Sequence, residues 1–232
     1  MIFARMLYWA SKPVVGAYAG TMLDVDVRWH ARLARGPKII AANHPSTTDP
    51  FFVAAMIGEQ SFILIKDVLF QVPVLGEYLR RSRHIPVIAG QGKQAVDTAS
   101  DLLRAGRTII IFPEGELSPL EGGFNPARTG VARLALQSGA PVVPVGIHLL
   151  RERIRSYRSV VRGKVEYGYY YLNGPYNLTI GKPLHFRGDA EDRPLVRTVA
   201  NTVMHHIIEL AHESQIRMDP TPSTLSSPTA AF

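Results

Sequence analysis

The 232-residue chain is 46% hydrophobic and 19% charged, which suits one domain with a sizeable core. It has no cysteine, so disulfides and thiolate-bound metals are excluded, and a reducing compartment fits. A net charge of +7 and a pI near 9.8 favour anionic partners, namely phospholipid surfaces, nucleic acid or phosphorylated substrates.

Residues 1–23 gather Ile2, Phe3, Met6, Leu7, Tyr8 and Trp9 with Arg5 and Lys12. A membrane span needs about 20 mostly apolar residues. Arg5, Lys12 and Pro13 break this stretch, and they equally break the apolar region of a signal peptide. Two readings stay open: an interfacial helix, with aromatics beside cations at a lipid surface, or a helix packed on the core. The apolar residues surround the helix instead of forming one stripe. Residues 24–37 read as a short strand or turn ending at Gly36-Pro37.

Lys38 to Asn43 reads as a buried strand, and Asp49 to Gly58 as a helix ended by glycine. Strands follow at Ser61–Ile65 and His84–Ile88, then a helix over Lys93–Ala105 and a β-branched strand at Thr108–Phe112. Ala127–Ser138 is predicted helical with Gly139 as its cap, and Val142–Leu149 is a core strand. Arg151, Arg153, Arg155, Arg158, Arg162 and Lys164 form a basic run opposed by Glu152. This run either faces anionic lipid or a carrier protein's acidic surface, or is a solvated loop. Strands at Val165–Tyr171 and Tyr176–Ile180 and a helix at Leu195–His212 complete the core, and residues 216–232 are predicted to be disordered. The alternation of strands and helices predicts a single-domain α/β layered sandwich.

The chemistry centres on Asn43-His44-Pro45-Ser46-Thr47-Thr48-Asp49-Pro50, at a strand-to-helix junction. A histidine can take and return a proton near neutrality, and a carboxylate bonded to one ring nitrogen fixes its tautomer and supports the transient imidazolium. The same residues also suit a plain helix start, with Thr47 or Thr48 as N-cap and Asp49 complementing the helix dipole.

Further segments carry a resemblance. Asn43–Pro50 resembles the first motif of the glycerolipid (lysophosphatidic acid) acyltransferase family. Phe112-Pro113-Glu114-Gly115 resembles its Phe-Pro-Glu-Gly motif, and Lys66 with Leu69-Phe70, Pro73, Gly76 and Ile85-Pro86-Val87 resembles the segment around its second motif. Val143-Pro144-Val145-Gly146 resembles its fourth, and Gly181-Lys182-Pro183-Leu184 a late turn. The order of these segments makes the match specific. It implies a mixed, mostly parallel sheet flanked by helices, with an N-terminal helical segment. The implied division is a membrane-docking segment at 1–36, an acyltransferase domain at 37–215 and a tail at 216–232. It further implies that His44 is the general base and Asp49 its orienter, with Glu114, Gly115, Lys66, Arg128 and Pro144 binding substrate. The reaction moves a fatty acyl group from acyl-CoA or acyl-carrier protein to a lysophospholipid hydroxyl, 1-acylglycerol-3-phosphate above all. No metal or further cofactor is implied, and because the thioester is already activated no covalent enzyme intermediate is required. The setting implied is a peripheral one, on the cytoplasmic face of a membrane.

Two departures bear on the acceptor. The Thr-Arg-Ser that usually follows Glu-Gly is Glu116-Leu117-Ser118 here, and Ile88-Ala89-Gly90 stands where an arginine usually follows the second motif. Arg128, Lys66 and Lys93 are the candidate replacements for those phosphate-binding cations. Otherwise the acceptor is a hydroxylated lipid or polyol without a terminal phosphate, or the chain is a lipid-binding relative without catalysis. A metal-dependent hydrolase would need closer histidines than His84, His148 and His185. Arg80, Arg81, Arg83 and His84 form a second basic run, a candidate for the phosphates of CoA or a lipid headgroup, and neither run has the aromatic interleaving or fold signature of a nucleic-acid module.

Overall fold

The fold grows outward from the strand expected at Lys38–Asn43. In the computed structural model, which describes residues 2–161 and 163–218, that strand is β2 (Lys38–Ala42), buried along its whole length. It is the centre of a seven-stranded sheet in the order β1-β9-β6-β2-β5-β3-β4. Here β1 is Leu23–Trp29, β3 Ser61–Lys66, β4 Ile85–Val87, β5 Thr108–Ile111, β6 Val142–Leu149 and β9 Gly174–Ile180. The five strands from β6 to β4 are parallel, β9 runs antiparallel to β6, and β1 runs parallel to β9. This is the expected mixed, mostly parallel sheet. Its central strands read as unbroken apolar runs because both faces are covered.

Side-chain alternation divides the core in two. Ile39, Ala41, Ile109 and Ile111 point to one layer, formed by α4 (Gly92–Arg104), α5 (Gly130–Ser138) and α6 (Arg193–Met218). Ile40, Ala42, Ile110 and Phe112 point to the other. That second layer holds α1 (Ile2–Met22), α2 (Asp49–Met56) and α3 (Leu75–Arg81). It also holds a two-stranded ribbon of β7 (Ile154–Val161) and β8 (Lys164–Tyr171).

Four expectations change. The boundary at residue 36 falls inside the sheet, because β1 pairs with β9 over seven residues. The basic run is no loop: Ile154–Val161 is a strand paired in full with Lys164–Tyr171, and its charges had obscured its β-type alternation. The last helix runs past His212 and 215 to Met218, so residues 216–218 are helical. Arg217 secures that turn, bonding Asp26, Thr179 and the Leu178 carbonyl. The remainder of the proposed tail, 219–232, lies outside the described residues. The core-packed reading of α1 holds for one side only. Tyr8 is buried, donating to the Glu59 carbonyl at 2.8 Å, and Tyr18 stacks on Phe52, while Met6, Trp9 and Val14 are exposed. No helix among the described residues is long and apolar enough to cross a membrane.

α6 lies directly on β6. A Cβ at Gly146 would stand 2.0 Å from the Ala211 amide nitrogen, so glycine is what permits the contact. Ser214 locks it, donating to the Gly146 carbonyl at 3.0 Å and sharing a 2.7 Å bond with Thr179. Near the other sheet edge, His84 is buried and not at a surface for phosphates. Its Nδ1 accepts the Ile63 N–H at 3.2 Å, and burial holds its pKa down to about 4. Arg80 and Arg81 in that same run pair with Glu77.

Two predictions follow from this packing. Gly146→Ala should lower the free energy of unfolding by at least about 2 kcal/mol, because the obstacle is backbone and not a flexible side chain. For His84 the folded pKa lies below the unfolded value of 6.5, so its contribution is full above pH 6.5 and fades as pH falls towards 4. The fade amounts to about 3 kcal/mol. Urea unfolding across pH 4–7 should therefore slope less steeply in His84→Gln, which keeps an acceptor for Ile63 but cannot titrate.

Candidate active site

The C-terminal ends of parallel strands bring the site together, where ligands of open α/β sheets bind. β2 ends at Ala42, and the next side chain extends its pairing with β6. The Asn43 amide donates to the Ile147 carbonyl at 2.9 Å and accepts the Ile147 N–H at 2.7 Å. His44 follows with its backbone clamped. Its N–H donates to Glu114 Oε1 at 3.0 Å and lies 3.2 Å from Ser118 Oγ, and its carbonyl accepts the Ser118 N–H at 2.8 Å. Beyond it β8 grips the loop. The Thr47 N–H donates to the Tyr169 carbonyl at 2.7 Å, and Thr47 Oγ1 accepts the Tyr169 N–H at 2.9 Å.

Asp49 opens α2 and is wholly inaccessible to solvent. Neither threonine caps the helix by its side chain; Thr48 Oγ1 instead bonds Ser46 Oγ at 2.9 Å. Asp49 Oδ2 lies 3.1 Å from His44 Nδ1 and accepts the Ser46 N–H at 2.7 Å. Its Oδ1 accepts the Tyr176 hydroxyl at 2.6 Å. A carboxylate can only accept, so Nδ1 carries the proton and Nε2 presents a lone pair. Nε2 has no partner among the described residues, and the imidazole is 17% exposed. The ring stacks on Phe112 with centroids 4.2 Å apart, which leaves it little freedom to turn. Burial, and then the Asp49 charge, push the Tyr176 pKa well above its usual value, so its hydroxyl stays a donor.

Glu114 takes a different part from the one expected of it. It is 1% exposed, and its carboxylate accepts from the His44 N–H, from Ser118 Oγ at 2.7 Å and from the Asn125 N–H at 2.7 Å. It binds the backbone of the His44 loop to the turn after β5 and presents no oxygen to solvent. Gly115 has φ +72°, and Nε of Arg128 lies 2.4 Å from where its Cβ would be. Glycine thus allows the guanidinium to cross the turn, where Nε donates to the Glu114 carbonyl at 3.2 Å. Arg128 is 67% exposed, with Glu116 3.8 Å away.

The remaining candidates divide. Lys66 stands at the C-terminal end of β3, exposed, 3.7 Å from Glu166 of β8. Lys93 lies in the first turn of α4, in the opposite layer. Pro144 is not at the site. It pairs with Ala41 in mid-strand, its carbonyl accepts the Gly181 N–H at 2.9 Å, and β6 runs five residues beyond it. Two residues past the site end of β6 is Arg151, half-buried and donating to the Pro119 carbonyl at 2.7 Å. Burial lowers its pKa, opposed by the charges of Glu114, Asp49 and Glu121. Arg151, read in the sequence as part of the basic run, is marked for the site by lying two residues past a parallel strand; Tyr176 is missed, because it gives no local signal. Among the described residues, no three or more metal-ligating side chains come together.

A double-mutant cycle tests the Asp49 environment. Tyr176→Phe should lower stability by about 1–3 kcal/mol, since it leaves a buried carboxylate oxygen without its donor. Most of that loss should disappear when it is measured against Asp49→Asn, a coupling read from urea unfolding of the four proteins.

Comparison with known proteins places this geometry. A sequence model described as Acyltransferase matches residues 24–148, a span that holds His44, Asp49, Glu114 and Arg128. The chain is 32% identical over 149 residues to the 1-acyl-sn-glycerol-3-phosphate acyltransferase of Saccharomyces cerevisiae, covering 62% of this chain and 47% of that protein. It is 27% identical over 147 residues to the protein of the same name from Pseudomonas aeruginosa, covering 62% and 54%. The chain thus spans about half the length of the curated relatives it matches. The crystal structure of the 1-acyl-sn-glycerophosphate acyltransferase PlsC from Thermotoga maritima superposes with a TM-score of 0.60 over 93% of this chain and 80% of that one. At 19% identity the likeness is one of fold. With more than half of its length matched by the family model, the chain belongs to the Acyltransferase family.

Proposed function

We propose that the chain transfers a fatty acyl group from an acyl thioester, acyl-CoA or acyl-carrier protein, to the free hydroxyl of a lysophospholipid. The acceptor that the relatives' names favour is 1-acylglycerol-3-phosphate. The observation that carries the reading is the His44–Asp49 pair, with Nδ1 committed to a buried carboxylate and Nε2 unpartnered.

His44 Nε2 takes the proton of the acceptor hydroxyl as its oxygen bonds to the thioester carbonyl carbon. Asp49 steadies the imidazolium through Nδ1–H. Collapse of the tetrahedral intermediate breaks the carbon–sulfur bond, and the imidazolium returns its proton to the departing thiolate. Glu114 serves by fixing the His44 backbone. We assign the acceptor phosphate to Arg128, whose exposure and seat against Gly115 support the reading where the usual motif arginines are lacking. The exposed Met6, Trp9 and Val14 of α1 and the net positive charge support a peripheral seat on the cytoplasmic face of an anionic membrane. The thioester is a co-substrate, and the steps above use no metal or further cofactor.

The test is acyl transfer from a mixed acyl-CoA pool to lysophosphatidate, glycerol-3-phosphate, other lysophospholipids and uncharged polyol lipids. His44→Ala should lose about 10²- to 10⁴-fold in turnover on the accepted substrate. Arg128→Ala should mainly raise KM for lysophosphatidate, by about tenfold. Transfer confined to acceptors without a phosphate would overturn the acceptor assignment, and equal turnover by wild type and His44→Ala would overturn the mechanism.

A further inference from the structure

We propose that the outer half of the β7–β8 ribbon is a second membrane contact, seated on an anionic lipid surface beside α1; the inference rests on the lipid-acceptor reading above. Residues 151–171 hold six cations against two carboxylates and five of the chain's nine tyrosines. The inner half of the ribbon is anchored. Ile154 and Tyr171 face each other and are buried, Tyr171 donates to the Pro175 carbonyl at 2.8 Å, and Tyr169 holds Thr47. The outer half meets the body through the solvent-accessible Lys66–Glu166 pair, 3.7 Å apart, and leaves its large apolar side chains open. Tyr157 and Tyr167 are 57% and 56% exposed, and Val160 and Val165 stand opposite each other in the open. A two-stranded ribbon is marginal in water unless something covers it.

The register indicates what covers it. Ile154, Ser156, Arg158 and Val160 alternate onto one face, opposite Tyr171, Tyr169, Tyr167 and Val165, so the buried stripe continues outward as an exposed aromatic, cationic and apolar one. On the reverse face Tyr157 meets Tyr170 edge-on, ring centroids 5.7 Å apart, beside Arg155. Aromatics with arginines at a depth gradient match the headgroup layer of an anionic bilayer, where the ring takes the interface and the guanidinium the phosphate. The position agrees. The ribbon and α1 pack on the same face of the sheet, and Tyr18 of α1 donates to the Leu172 carbonyl, just past β8, at 2.6 Å. The ribbon grips the loop that carries His44 through Tyr169, and two separated contacts, the ribbon and the exposed side of α1, fix how that loop meets the lipid surface.

The test places a single indole in the ribbon, Tyr167→Trp in a Trp9→Phe/Trp29→Phe background, beside a protein that keeps only Trp9. Each is mixed with vesicles of brominated phosphatidylcholine, with and without phosphatidylglycerol. The expected result is quenching of both indoles, dependent on phosphatidylglycerol. Arg155→Glu/Arg158→Glu should weaken vesicle binding about tenfold or more, with unchanged turnover on a monomeric short-chain acceptor. Quenching of Trp9 alone overturns the ribbon contact and leaves peripheral binding standing. Quenching of neither overturns both. A ribbon indole shielded by concentration-dependent dimerisation, seen by sedimentation without lipid, overturns the proposal in favour of a second copy of the chain.

Discussion

Asp49 is a carboxylate with no access to water, and such a group must receive donors or be neutralised as the chain folds. It receives three: the His44 imidazole, the Ser46 amide and the Tyr176 hydroxyl. Each comes from a different kind of constraint. The imidazole arrives because β2 ends one residue before the loop begins, the amide because the loop turns back on itself, and the hydroxyl because β9 lies two strands away. The charge at the start of α2 is also favoured by that helix's dipole. The orientation of His44 follows from satisfying the carboxylate.

A second buried carboxylate works on the backbone instead. Glu114 collects the amides of His44 and Asn125 and the hydroxyl of Ser118, fastening two loops that leave adjacent parallel strands. Asn43 does the same towards β6. The stretch from Asn43 to Asp49 is thereby held by β5 on one side, β6 on the other and β8 from above. The general base proposed at His44 requires such a frame, because small displacements of a base exceed its hydrogen-bond reach.

The parts of this arrangement that could be read in the sequence are the local ones. β2, α2, β5 and β6 announce themselves through apolar runs and through Gly58 and Gly139, and the His44–Asp49 spacing sits where a strand meets a helix. Parallel pairing then explains why Phe112–Gly115 lies beside it. What failed to show were matters of direction and distance. Glu114 is a polar residue in a motif, yet only the fold reveals that it faces inward. Pro144 belongs to a recognisable segment, but the strand carries it away from the site. Arginines at 151, 153, 155 and 158 drew attention to charge and hid a strand. Tyr176 carries no mark of its role, because its partner is 127 residues away.

That last separation bears on how the molecule is made. His44 and Asp49 leave the ribosome together, and Glu114 joins them once β5 pairs with β2. The hydroxyl for Asp49 Oδ1 comes from β9, which slots between β6 and β1, so the first strand of the sheet and the last close the same edge. Contacts of such long sequence separation form late, after most of the loop entropy has been lost. A nascent chain that ends with β8 contains the whole dyad and its backbone clamps. It also contains a buried carboxylate with one oxygen unanswered, and it stays incomplete until the last strand of the sheet arrives.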